Sequence, residues 1–133
     1  MEWNAEVSVS AGVAKADPRA NPASVAVEDI VDLPERDRSG RLCSRLIVGL
    51  DAPTAETVTF EVWALDSRDT ANPPAATDRW YIVYSGVGLA GGSVYQTRLD
   101  QVDEGFVSGG RFYVRRTADT LAATRTVLLR VAE

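Results

Sequence analysis

The chain has 133 residues, a formal charge of −5, one cysteine and no histidine. That length fits one domain able to bury a core without metal or disulfide, and a lone thiol cannot staple the chain to itself. Without histidine, the Ser-His-Asp and Cys-His arrangements, the usual zinc enzymes and the commonest general base are all excluded.

The N-terminus, "MEWNAEVSVS", has neither a basic region nor an apolar run, so no signal peptide is expected. No stretch is long and apolar enough for a membrane-spanning helix. Synthesis in the cytosol is the expectation, and the negative charge argues against general nucleic-acid binding.

In chain order, "WNAEVSVS" alternates Trp3, Ala5, Val7 and Val9 as a strand does. "KADPRANPAS" holds two prolines and reads as loop. "SVAVEDIVDL" reads as strand at its start, around Val25 and Val27. "RLCSRLIVGL" sets Leu42, Leu46, Val48 and Leu50 opposite Arg41, Cys43, Arg45 and Ile47. "TVTFEVWALD" is the clearest strand: Val58, Phe60, Val62 and Ala64 alternate with Thr57, Thr59, Glu61 and Trp63. "SRDTANPPAATD" is then the tip of a hairpin leading to "RWYIVYS", with Trp80, Ile82 and Tyr84 on one face. "SVYQTRL", "RFYVRRT" and "RTVLLRVA" alternate similarly, the last placing Val127, Leu129 and Val131 inward. The best helical stripe, Leu99, Val102 and Phe106 in "TRLDQVDEGF", lasts a turn or two.

About eight short strands separated by turn signals predict an all-β fold, an antiparallel β-sandwich or jelly roll with little or no helix. Local alternation does not distinguish those two. Residues 25–133 form the sandwich domain, and residues 1–24 are either an N-terminal arm or a first strand plus loop.

Four patterns invite a chemical interpretation. "SGVGLAGGS" contains Gly86-x-Gly88-x-x-Gly91, the spacing of a dinucleotide-binding turn. That fingerprint needs a helix after the third glycine, and here a strand-like segment follows, so a glycine-rich loop is expected and no cofactor. "ERDRSG" starts like a calcium loop at Glu35, Asp37 and Ser39, but Leu46 stands where the twelfth-position glutamate belongs. Cys43, flanked by Arg41 and Arg45, is either an activated thiol or a packing residue. Glu61, Asp66, Asp100, Asp103 and Glu104 offer carboxylates, but nothing singles out a catalytic pair. The expectation is a non-enzyme.

Two features point to contact with other proteins. Asp51, Glu56, Glu61, Asp66, Asp69 and Asp78 face only Arg68 in the stretch they span, whereas Arg111, Arg115, Arg116, Arg125 and Arg130 outweigh Asp119 and Glu133. An acidic end and a basic end would result, unless both sets are solvated faces. Trp63 lies on the polar face of its strand beside Leu65, an interface anchor if exposed and ordinary packing if not. The candidate interface is therefore Trp63, Leu65, Arg111, Arg115 and Arg116. Trp80, Tyr81, Tyr84, Tyr95 and Tyr113 form either a stacking platform for sugars or single-stranded nucleic acid, or sandwich core plus cross-strand pairs.

The succession "RLIVGLDAPTAETVTFEVWALDSRD", "RWYIVYSGVGLAGG" and "RFYVRRTADTLAATRTVLLRVAE" resembles small β-sandwich structural proteins of tailed bacteriophages over roughly residues 41 to 133. The resemblance lies in strand style, with no shared catalytic motif. It implies a head decoration, or cement, protein that binds the major capsid protein on the outside of an icosahedral shell. It further implies a homotrimer, placement on the virion, and an N-terminal arm reaching a neighbour. A tail or neck accessory protein of the same virion is the first alternative. A carbohydrate- or host-binding module is the second.

Overall fold

A computed structural model describes residues 5–9, 15–19, 21–34, 38–41, 43–65, 74, 78–98, 110–117 and 125–132, with only the backbone path for 5–9 and 97–98. Among the described residues are eight strands: β1 (Ala5–Val9), β2 (Ile30–Asp32), β3 (Arg45–Asp51), β4 (Thr57–Leu65), β5 (Trp80–Ala90), β6 (Val94–Arg98), β7 (Arg111–Arg116) and β8 (Arg125–Ala132). Two 3-10 turns, Pro22–Ser24 and Val27–Asp29, are the helical elements among the described residues.

The strands form two four-stranded sheets, ordered β1-β8-β3-β6 and β2-β7-β4-β5, and every pairing is antiparallel. The pairs β4–β5, β3–β6, β2–β7 and β1–β8 nest inside one another. The chain is thus one long antiparallel ribbon closed at the β4–β5 hairpin. Pairing β3 with β8 and β4 with β7 rolls that ribbon into two layers. This is jelly-roll connectivity, and it resolves the alternative that alternation left open.

The interior follows the period-2 pattern. Leu46, Val48 and Leu50 of β3, Val58, Phe60, Val62 and Ala64 of β4, Phe112 and Val114 of β7, and Val127, Leu129 and Val131 of β8 form one core between the sheets. Cys43 is buried in the same cluster, a packing position.

Three local expectations need correction. In "SVAVEDIVDL" the strand is at the end, Ile30–Asp32, not around Val25 and Val27. Asn21 accepts a hydrogen bond from Ala23 N through Oδ1 (3.1 Å), and Pro22 opens a 3-10 turn there. Second, the glycine motif is not a loop throughout. β5 continues to Ala90, carrying Gly86 and Gly88 within it, and the turn begins only at Gly91. Third, the faces of β5 do not alternate cleanly. Val62 pairs with Tyr84 and Trp63 with Ile82, which leaves Val83 as an extra residue. This bulge turns both Val83 and Tyr84 toward the inner core and leaves Trp80 and Ile82 on the outer face.

A second bulge lies where Val58 pairs with Leu89 and Phe60 with Gly86, so Val87 and Gly88 together oppose Thr59. Gly88 has φ +60° there and donates its N–H to Thr59 Oγ1 (3.0 Å). Gly91 needs its missing side chain for another reason. A Cβ at that position would collide with the carbonyl oxygens of Ala52 and Pro53.

Candidate interaction surfaces

The outer face of the β2-β7-β4-β5 sheet carries a second apolar cluster of Val25, Trp63, Leu65, Trp80 and Tyr113, with Ile30 and Ile82 packed against it. Residues 15–19 and 21–25 lie over it and are fastened by side chains from the sheet. Tyr113 Oη donates to Ala16 O (2.9 Å), Arg115 Nε to Lys15 O (3.2 Å) and Trp80 Nε1 to Pro22 O (3.4 Å). Lys15 pairs with Asp29 at 3.2 Å, and Arg19 reaches Glu61 at 3.6 Å. Burial raises the Tyr113 phenol to about 12, with Asp29 the next contributor. The described part of residues 1–24 is thus a strand paired with β8 and a segment packed on this chain's own sheet.

This covering segment and the sheet bury both apolar members of the candidate interface within the chain itself. Trp63 is 1% exposed and Leu65 fully buried. The polar appearance of the Trp63 face arises because Glu61, two positions earlier, joins an ion-pair cluster at the margin of the covered patch.

The three arginines are engaged inside the molecule as well. Arg111 is buried with Nε 3.1 Å from Asp32 Oδ1. Arg115 Nη1 lies 3.3 Å from Glu61 and 3.7 Å from Asp17. Arg116 is buried and near enough to Glu56 to help hold that carboxylate ionised. Nor do the acidic and basic blocks form two ends among the described residues. The ribbon sets β7 beside β4, with Arg115 in register with Glu61. Just before β4, Glu56 is gripped by Arg125 at the start of β8 through two hydrogen bonds of 2.6 and 2.7 Å. Those bonds hold the Glu56 carboxyl below its usual 4.5.

The proposed aromatic platform is dispersed. Trp80 and Tyr113 are buried against each other, centroids 5.9 Å apart. Tyr84 stacks on Tyr95 at 5.8 Å and tilts against Phe60 at 6.0 Å. Of the candidate acids, Glu61 is ion-paired, while Asp66, Asp100, Asp103 and Glu104 lie outside the described residues, as do Glu35 and Asp37 of the calcium-like segment. Among the described residues no cluster of three metal-ligating side chains occurs. The helical stripe at Leu99, Val102 and Phe106 also lies outside them.

One surface was overlooked. Edge strand β5 of one sheet and edge strand β6 of the other lie side by side, bridged by the Tyr84–Tyr95 stack. From Trp80 to Thr97 no residue is charged, in a chain where 25% are. Val87 is 79% exposed and Val94 63%. Between them, Gly91 N donates to Glu56 O (3.0 Å), Gly92 N to Leu50 O (2.9 Å) and Leu50 N to Ser93 O (3.1 Å), so the arch joining the two strands is pinned to the sandwich. The uncharged run was the available signal. Alternation within each strand does not show that two edge strands of different sheets adjoin.

No family model, curated protein or solved structure matches this chain. The class defined by the coordinates is therefore that of the fold itself, an all-β sandwich of two antiparallel sheets.

Proposed function

We propose that this chain is a non-catalytic structural protein of the virion, which binds the outer surface of an icosahedral capsid and stabilises it as a decoration protein. Its partners are the major capsid protein and further copies of itself. The observation that carries an assembly role is the uncharged run along the edge strands β5 and β6, with Val87 exposed on one strand and Val94 on the other. Sheet edges of monomeric proteins are ordinarily blunted by charge, proline or bulges. From Trp80 to Thr97 these edges have bulges in β5 but neither charge nor proline of their own, and β6 ends on Arg98. The capsid placement rests on the strand-style resemblance over residues 41 to 133. A sugar-binding role is less favoured, because two of its five candidate aromatics are buried and two more are stacked on each other.

Quantitative peptide mass spectrometry on density-purified particles tests the proposal. Copy numbers comparable to the main shell protein are the expected result. A handful per particle would reassign the protein to a neck or tail, and absence would end the virion assignment.

A further inference from the structure

We infer that the outer sheet face around Trp63, Trp80, Tyr113 and Arg115 is a recognition site for peptide segments built of tandem proline turns. The chain's own covering segment fills that site as a displaceable placeholder, and the partner is a protein segment of the same chemistry. The inference does not depend on the capsid assignment.

The covering segment repeats one short unit. "ADPRANPA" reads Ala-Asx-Pro-x twice, at 16–19 and 20–23. Asp17 Oδ1 accepts from Arg19 N (3.0 Å) as Asn21 Oδ1 does from Ala23 N (3.1 Å), so both units close the same Asx turn. Ser24 N is bonded to Asn21 O, and Pro18 and Pro22, both buried, have no N–H to satisfy. What such a segment offers a partner is chiefly carbonyl oxygens and proline rings.

The sheet supplies the complement. Tyr113 Oη, Arg115 Nε and Trp80 Nε1 all donate, to the carbonyls of Ala16, Lys15 and Pro22. An aromatic surface that donates hydrogen bonds to carbonyls suits proline-bearing peptides, and turns preset by proline cost little to order. Arg19 adds a cation over the Trp63 ring and 3.6 Å from Glu61, which specifies a basic residue after the first proline.

The covering segment fills this site incompletely. Trp63 is buried, yet its Nε1 has no hydrogen-bond partner among the described residues. A buried donor without an acceptor carries a cost that a segment offering it a carbonyl would remove. Two of the existing holds are also long, 3.4 Å from Trp80 to Pro22 and 3.6 Å from Arg19 to Glu61. Being tethered, the covering segment competes at a high effective concentration, so a better-matched partner is needed to displace it.

Fluorescence anisotropy of a labelled synthetic peptide with the sequence of residues 15–25, titrated with the full chain, provides the test. Pro18→Ser with Pro22→Ser in the chain loosens its own covering segment and should tighten peptide binding at least about tenfold over wild type. A peptide with both prolines changed to serine should bind that loosened chain at least about tenfold more weakly. Tyr113→Phe added to the loosened chain should weaken binding as well, because it keeps the ring and removes one donor. Asn21→Ala, at an exposed position, replaces the proline pair if that variant fails to give a cooperative thermal melt. A folded, loosened chain that ignores the peptide, binds the serine peptide equally well or is indifferent to Tyr113→Phe would overturn the inference. So would wild-type dimers that the peptide dissolves, since the occupant would then be a second copy.

Discussion

The Arg19 guanidinium stands over the ring of Trp63, 5.0 Å from its centroid, and so caps a tryptophan that the sheet holds from below. Arg19 itself is well exposed and is held between Asp17 and Glu61. The pair divides the labour of the covering segment. Trp63 supplies buried area, and Arg19 closes the margin where apolar packing meets water.

Trp63→Ala should therefore cost the isolated domain about 3–5 kcal/mol, the range for deleting a buried aromatic. Arg19→Ala should cost only about 0.5–1 kcal/mol, as exposed cation–π contacts do. Urea unfolding of both variants checks this, and a Trp63→Ala protein with wild-type stability would contradict the burial described.

Tyr113 makes the fold sensitive to alkali. Its folded value of about 12 exceeds the ordinary 10.0, so its contribution is complete below pH 10 and is lost as pH rises toward 12. Over that window the unfolded chain releases the proton while the folded chain retains it. Tyr113→Phe should flatten this limb of the stability–pH curve. It should also lower stability at neutral pH, because the hydrogen bond to Ala16 O is gone.

Glu56 acts at the other extreme, with the opposite sign. Its folded value is depressed by the Arg125 hydrogen bonds, so its contribution is present above pH 4.5 and is lost as pH falls through the folded value. Glu56→Gln should leave stability less dependent on pH in the acid range. The pair is accessible to solvent, so added salt should reduce the difference between the two proteins.

Gly88 and Gly91 should respond differently to alanine. At Gly88 the space is open and only the left-handed backbone resists, which predicts a loss of about 1–2 kcal/mol. At Gly91 the new methyl meets the carbonyls of Ala52 and Pro53, and the arch must move to admit it. The Gly91 variant should be the less stable in thermal melts.

Strand positions were legible wherever apolar residues alternate without interruption, as from Val58 to Ala64 and from Val127 to Val131. Alternation failed at β5, because a bulge shifts the phase by one residue without leaving a compositional mark at Val83. It failed also at Val25, whose burial on the outer sheet face comes from a 3-10 turn and not from a strand. The burial of Trp63 has a non-local cause. Nothing near Trp63 in sequence shows that residues 15–19 and 21–25, some forty positions earlier, fold across it. The pairing of Arg115 with Glu61 was hidden in the same way, since only the order of strands in the sheet makes them neighbours.

The nested pairing of strands also constrains how the chain can reach its structure. β4 and β5 are consecutive strands that pair with each other, whereas β1 pairs with β8 across most of the sequence. Closing the outer pair first would pay the loop-closure entropy of nearly the whole chain for one ladder, whereas zipping outward from the hairpin closes each pair over a short remaining gap. Folding should accordingly be slow for a domain of this size, with substitutions in β4 and β5 retarding folding and those in β1 and β8 chiefly hastening unfolding.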